Sequence, residues 1–502
     1  MTGKQIRMHY SGFIIFASKL ITLITGITFT LMVANSLSQN EYGIWGIFNV
    51  TIIPNFTVLS SAVSFWAMRF VAREKEGATK TGIIANMTLA LIVTLVYLAL
   101  LPVITTAFGL GNYVLIYVVA AAQVIETYLI GVLEACLQAR QPHFVGYGLL
   151  VGEVCKVLLA YVFILQLGLA LPGVVLSIVI AFAVKIAFYL KAVMLELRQK
   201  VVLGYIKEWL KGSAFNIYNM IGDRIASIIF VMLTIYGLEV GTGYYYAALQ
   251  IANIITYSTF LAFALQPKLL AENNIDEATV SLRLVLMFAV PMTAGVIAIP
   301  SSYLLFLKES MEYVPATPVL VILAFDALIM TISSIFSYVL YGIEKVDEKA
   351  EIPFWQVMRS RLFIAFSLPY AHSMITLPTA FYALNYLANN NPQLVATYVT
   401  AINTVGHLAM FIVLYSVLRK AVKLKIPWRS IGKYVAASSV MAFVLFLAAR
   451  AQPARRSTTL IVTAVGSMIY LGLLLAFDKE TRTLARTIWQ VGTDKLGRKT
   501  RT

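Results

Sequence analysis

Among the ionisable residues inside otherwise apolar stretches of this chain are Lys19, Glu126, Lys156, Lys185, Asp223, Arg224 and Asp326. A charge at the centre of a membrane helix costs at least about 2.5–3.5 kcal/mol, so each marks a candidate substrate or ion path. Lys19 falls about 10 Å and Lys156 about 13 Å into its stretch, at 1.5 Å per helical residue. An ammonium offers a point charge to an anionic headgroup such as a pyrophosphate, and the guanidinium of Arg224 offers a bidentate fork. Lys19, Arg224, Lys156 and Lys185 are therefore candidate substrate-binding residues. Asp223 and Asp326 are suited to coupling with a proton or sodium ion. Glu126 belongs to a polar stripe with Gln123, Thr127, Glu134 and Gln138 at helical spacing. Such a stripe either meets sugar hydroxyls or holds helices together.

Ordinary structural roles compete with these. Glu153 and Lys156 are three apart on one helix face and can simply pair. Asp223 and Arg224 are adjacent and point about 100° apart, so they cannot fully satisfy each other. Lys19 has no acid within four residues on its own helix, and Lys185 stands alone. Both need a cavity or another helix. If the lone cations converge, the cavity they line is cationic.

The elements that must position these groups are fourteen apolar stretches between Gly12 and Phe477. Each is close to the roughly twenty residues that span a bilayer core as helix. Lys19 lies in 12–34, Glu126 in 113–138, Lys156 in 147–169, Lys185 in 172–195, Asp223 and Arg224 in 213–236, and Asp326 in 316–341. Further stretches include 42–66, 243–266, 284–306 and 357–387. Of the 39 lysines and arginines, 31 fall on alternate loops, on the side of the N-terminus, and only Lys308, Arg450, Arg455 and Arg456 fall on the opposite loops. Basic residues stay in the cytoplasm during insertion, which predicts a multi-pass protein of the cytoplasmic membrane with both termini inside. The composition agrees: 60% hydrophobic and 12% charged, against about 45–50% and about 25% in soluble domains. The net charge of +16 sits in loops that face anionic headgroups, and membrane lipids rather than nucleic acid are its expected partners. Cys136 and Cys155 both fall within apolar stretches and supply no disulfide framework.

The longest inner loop, 196–212, places Val201, Val202, Tyr205, Ile206, Trp209 and Leu210 largely opposite Lys200, Lys207, Glu208 and Lys211. This predicts an amphipathic helix on the inner membrane surface. It divides the chain into a six-helix lobe, 1–195, a linker, 196–212, a second six-helix lobe, 213–418, and two appended helices with a basic tail, 419–502. A weak repeat supports the division. Leu37-Ser-Gln-Asn-Glu-Tyr-Gly and Leu238-Glu-Val-Gly-Thr-Gly-Tyr each cross a polar turn into an aromatic-rich stretch. An offset of six helices makes the halves parallel repeats around a central cavity. No Walker A sequence, HExxH motif or nucleotide-binding domain occurs, and the outer loops leave no room for a catalytic domain. The expected class is an all-α polytopic membrane protein of about fourteen helices that is not an enzyme, needs no cofactor and acts as a monomer.

Phe215 to Ile255, FNIYNMIGDRIASIIFVMLTIYGLEVGTGYYYAALQIANII, resembles the polysaccharide-transporter, O-antigen flippase-like family of the multidrug/oligosaccharidyl-lipid/polysaccharide exporter superfamily. The resemblance rests on the Asp223-Arg224 pair and the Gly-Tyr-Tyr-x-Ala turn after it. The opening SGFIIFASKLITLITGITFTLMVANSLSQNEYGIWGIFNV and Tyr341-Gly-Ile-Glu-Lys are similar to the family's pattern as well. The resemblance implies alternating access and export of a polyprenyl-phosphate-linked oligosaccharide, with Lys19 and Arg224 in the cationic cavity and glycan-synthesis enzymes as neighbours. It departs from the family in that only one deep cation is Arg. The alternatives are a multidrug exporter of the same superfamily, a membrane-embedded glycan polymerase or glycosyltransferase, and a non-transporting partner of a glycan-synthesis complex.

The charge alternation yields a direct expectation. An impermeant thiol reagent applied to intact cells should label cysteines placed in 307–315 and 450–457 and miss those in 196–212. Labelling of 196–212 would contradict the topology.

Overall fold

The computed structural model describes residues 3–37, 41, 45, 52–107, 114–262, 265, 268–269, 275–307, 311–343, 358, 360–388, 391–451, 455–483 and 486. Most of the predicted start of the second stretch, 42–51, the Leu37 turn beyond its first residue, the loop 344–357 and the tail 487–502 lie outside them. The described residues are mostly helical and form no strand. The principal helices are α1 (Gly3–Ser36), α2 (Ser60–Ala72), α3 (Ala78–Ala107), α4 (Val114–Arg140), α5 (Pro142–Ala160), α6 (Ala170–Ala192), α7 (Leu203–Ala226), α8 (Ile228–Thr256), α9 (Asp276–Ala298), α10 (Thr317–Ile343), α11 (Arg361–Tyr386), α12 (Pro392–Ala421), α13 (Trp428–Ala451) and α14 (Arg456–Phe477). Among the described residues, nine helices are long and apolar enough to cross a membrane. The protein is a multi-pass membrane protein.

Apolar packing falls into two sets. Before residue 210, α1, α3, α4 and α6 bury Phe29, Val33, Tyr97, Tyr117, Tyr128 and Val174 in one core. After it, α9 to α14 share a core around Val285, Phe336, Val339, Leu418 and Met441. A second core joins α8 to α10, α11 and α12 through Leu233, Ala248, Leu320, Leu384 and Val399. The last two helices pack mainly on α9 and on each other. Lys433 Nζ at the start of α13 meets Asp478 Oδ1 just beyond α14 at 2.8 Å, which ties the ends of that pair together.

The turn predicted at 238–243 is present, although the chain is helical from Ile228 to Thr256. The rings of Phe230 and Tyr245 are 5.0 Å apart, whereas fifteen residues of straight helix would separate them by about 22 Å. The chain therefore doubles back between them, with Gly241 against the Pro392 backbone. The linker differs from its expectation. Only a short turn at Glu196–Arg198 precedes an extended crossing, and α7 starts at Leu203 and runs on to Ala226 without a break. Trp209 is not spread on the membrane surface. It is 1% exposed and packs with Phe70 and Tyr205, because an indole gains more from rings on two helices than from one interface.

The described basic loop segments around Gly77, Arg140 and Gln199 lie at one end of the helices they join. Arg140 pairs with Glu196, and the Gly77 amide donates to Gln199 Oε1 at 2.7 Å. At the same end Arg69, one of the 31 basic residues counted on loops, is helical and fully buried. Its guanidinium donates to the Tyr341 carbonyl at 2.8 Å and lies over the rings of Phe65 and Trp66. Phe65 itself meets Tyr341 and Phe366. Arg69 thus joins α2 of the first half to α10 of the second.

Replacing the guanidinium while keeping its stem tests that join. Arg69→Met leaves the Tyr341 carbonyl without its donor, a loss of about 1–3 kcal/mol. Thermal unfolding in detergent should shift down by several degrees, and an unchanged midpoint would show that Arg69 is not a latch.

Candidate functional site

Three of the deep lysines meet in the first half. On α5, Lys156 Nζ and Glu153 Oε2 are 2.8 Å apart, one turn from each other on the same face, and Thr25 Oγ1 of α1 donates to the same carboxylate at 3.2 Å. The ammonium also lies over Phe29. The pairing read as one alternative from the sequence is the arrangement found. On α6, Lys185 is not alone, contrary to its reading from sequence. Its Nζ is 2.8 Å from Glu134 Oε1 on α4, which also accepts from the Tyr189 hydroxyl at 2.9 Å. The partner could not be seen in the sequence because it comes from a different helix.

Lys19 differs. No ion pair holds it among the described residues. Its Nζ lies 4.7 Å from the ring centroid of Phe260, just beyond α8 in the second half. The charges it senses are Glu134, Lys185 and Glu153. Three ammonium groups thus share two carboxylates, leaving one positive charge where α1 meets Tyr257–Ala262. A ring face attracts a cation without neutralising it.

Arg224 does not join this cluster. It is exposed, on a cavity of about 290 Å³ between α7 and Val58–Leu59, walled by Ile217, Ile221 and Ile228. Lys19 and Arg224 both lie where the halves meet. The repeat pairs their positions in sequence, whereas the contacts of α1 and α7 across the interface differ: α1 meets 257–262 and α7 meets α2. Asp223 accepts from Asn219 Nδ2 at 3.1 Å, one turn back on its own helix. Glu126 is buried, and its Oε2 has no hydrogen-bond partner among the described residues. With Gln123, likewise buried, it sits inside the first half rather than on an open wall. Thr127 spends its hydroxyl on the Gln123 carbonyl at 2.7 Å.

In the second half, Asp326 on α10 meets His407 Nδ1 of α12 at 2.7 Å. His372 of α11 stacks on His407 with centroids 5.0 Å apart. Neither histidine was singled out from sequence, although the intramembrane rule that flags Lys19 applies equally to a histidine in an apolar stretch.

Helices approach closely where these groups meet. A Cβ on Gly148 would lie 2.0 Å from the Tyr189 ring, so glycine is what lets α5 sit against the tyrosine that holds Glu134. Gly148→Ala should overpack this point by about 1–3 kcal/mol and lower the melting temperature. An unchanged melting temperature would show that the Tyr189–Glu134–Lys185 arrangement is not packed as described.

No protein-family model and no curated protein matches the chain. Solved structures do. A MATE crystallised in complex with MaL6 superposes with a TM-score of 0.65 at 14% identity, over 84% of this chain and 100% of the other. A mutant of the Vibrio cholerae MATE transporter VcmN gives 0.63 at 14%, over 84% of this chain and 99% of the other. A MOP-superfamily transporter from Pyrococcus furiosus, described as having a binding pocket of reversed polarity that suggests a different function, gives 0.64 at 14%, over 83% and 95%. The chain has the fold of the MATE transporters of the MOP superfamily.

Proposed function

We propose that the protein is an exporter that carries a polyprenyl-phosphate-linked oligosaccharide across the cytoplasmic membrane by alternating access. In this reading residues 1–195 rock against 213–418, with 419–502 appended outside, both termini lie in the cytoplasm, and a proton or sodium gradient drives the cycle. The observation that supports an anionic cargo most is Lys19. It is a deep ammonium without an ion pair among the described residues, held against a ring of the opposite half. A phosphate that leaves water needs fixed positive charge in exchange, and a cation retained at the interface of the moving halves can supply it. Arg224, exposed at the same interface, adds a guanidinium on the way. The contacts between Arg69 and Tyr341 and between Phe65 and Phe366 suit a state closed at the basic-loop end.

A second reading, export of organic cations, is favoured by a different observation. Lys156 and Lys185 are each matched by a glutamate, so the cluster as a whole is close to neutral. One similar solved structure is that of a multidrug resistance MATE transporter, which suits that reading.

Vesicles carrying the protein separate the two. Flipping of a fluorescent polyprenyl-diphosphate oligosaccharide should fall at least about tenfold in Lys19→Ala, the effect of about 1.4 kcal/mol at the barrier. Arg224→Ala should fall as far, and Arg224→Lys should recover only part, because an ammonium lacks the fork. Unchanged flipping in both alanine variants, or efflux of tetraphenylphosphonium with no flipping in the parent, would favour the second reading.

A further inference from the structure

Four helices of the second half bring titratable groups to one point. Asp326 comes from α10, His372 from α11, His407 from α12 and Tyr245 from α8. The Asp326 carboxylate and His407 Nδ1 are 2.7 Å apart. The two imidazoles stack with an interplanar angle of 21°. Tyr245 feels the charge of Asp326. His372 Nδ1 lies 3.4 Å from Thr376 Oγ1, and its buried ring also meets the Asn403 backbone. The backbone makes room for this. A Cβ at Gly406 would fall 2.5 Å from His372 Cδ2 and 2.7 Å from Nε2, so only glycine beside His407 lets the second ring in.

The donor set selects the ligand. Sodium and other hard cations are held by several oxygens, and here one carboxylate faces two imidazoles. Among the described residues, no group of three histidines, cysteines or acids could hold a metal ion. A proton fits. Histidine is the side chain whose ordinary titration falls between pH 5 and 8. With His407 neutral and donating Nδ1–H to Asp326, the pair carries one negative charge. A proton taken from water onto the other ring nitrogen makes it a neutral imidazolium–carboxylate pair, and its return to water reverses the change. His372, stacked on that imidazolium, disfavours a second positive charge, so the site loads one proton.

We infer that Asp326, His407 and His372 form a one-proton coupling site, with His372 as the positioning residue that limits loading to a single proton. The inference rests on the alternating-access reading above and not on the identity of the cargo. Its logic is the cost of a charge away from water. Loaded, the site is neutral and can be sealed when the helices close. Unloaded, it holds a net negative charge and favours a conformation that admits water. Proton binding and the position of the two halves are then linked, each shifting the other.

The experiment needs no cargo. Spin labels are placed through Leu167→Cys and Leu387→Cys, at the end opposite the basic loops, with Cys136→Ala and Cys155→Ala as background. Distances between the labels are measured in lipid nanodiscs from pH 5 to 8. The ratio of the two distance populations should change with pH, by up to about tenfold per pH unit for one linked proton. His143→Gln, on α5 in the first half, should respond like the parent. Asp326→Asn and His407→Gln should be flat. Gly406→Ala, which drives a methyl into His372, and His372→Gln should move the midpoint while leaving a response. A parent that ignores pH, or that answers to sodium at fixed pH instead, overturns the inference whether or not the variants fold. A pH response that survives in both Asp326→Asn and His407→Gln overturns it too. Failure of oligosaccharide flipping with the pH response intact would remove the cargo reading alone.

Discussion

An ionised group inside a bilayer must find a partner, a ring or water, and this constraint organises the interior of the protein. Lys156 finds Glu153 on its own helix, Lys185 finds Glu134 on another, and Asp326 finds His407 on a third. Each solution fixes how two elements sit against each other. The buried Arg69 solves the same problem with a backbone carbonyl and two rings, and in doing so it joins the halves. Lys19 is the group whose charge is left over, and it lies where α1 meets the segment after α8.

The two halves divide the chemistry. The first concentrates lysines and glutamates near the interface, and the second buries a carboxylate against an imidazole. A mobile anion needs fixed cations that water can reach. A coupling proton needs a site whose charge changes as it is sealed. These demands conflict, because a carboxylate beside the lysines would be consumed by pairing, as Glu134 and Glu153 are. Asp326 on α10 pairs instead with His407 on α12, apart from these lysines. The halves touch through the contacts of α1 with 257–262 and of α2 with α7.

What the sequence could show depended on whether the determining contact was local. The Glu153–Lys156 pair follows from a spacing of three on a helix. The turn near Gly241 follows from glycines and polar residues between two apolar runs, and the rings of Phe230 and Tyr245 agree with it. The partner of Lys185 was not legible, because helical spacing says nothing about which other helix lies alongside. Arg69 was read as a loop cation because it follows an apolar run in a basic segment, and only the Tyr341 carbonyl explains its burial. Trp209 was assigned to the membrane surface by an amphipathic pattern that equally suits a helix packed on protein. His372 and His407 belonged to separate stretches, and their meeting is a product of tertiary packing.

The central claim is that the unpaired charge of Lys19 makes the interface of the halves select an anion. Native mass spectrometry of the purified protein with a polyprenyl diphosphate and with tetraphenylphosphonium measures that selection without any transport step. The account predicts that the parent retains the diphosphate in preference to the cation, and that Lys19→Glu reverses the order. A parent that prefers the cation, or a Lys19→Glu variant with an unchanged preference, would contradict it.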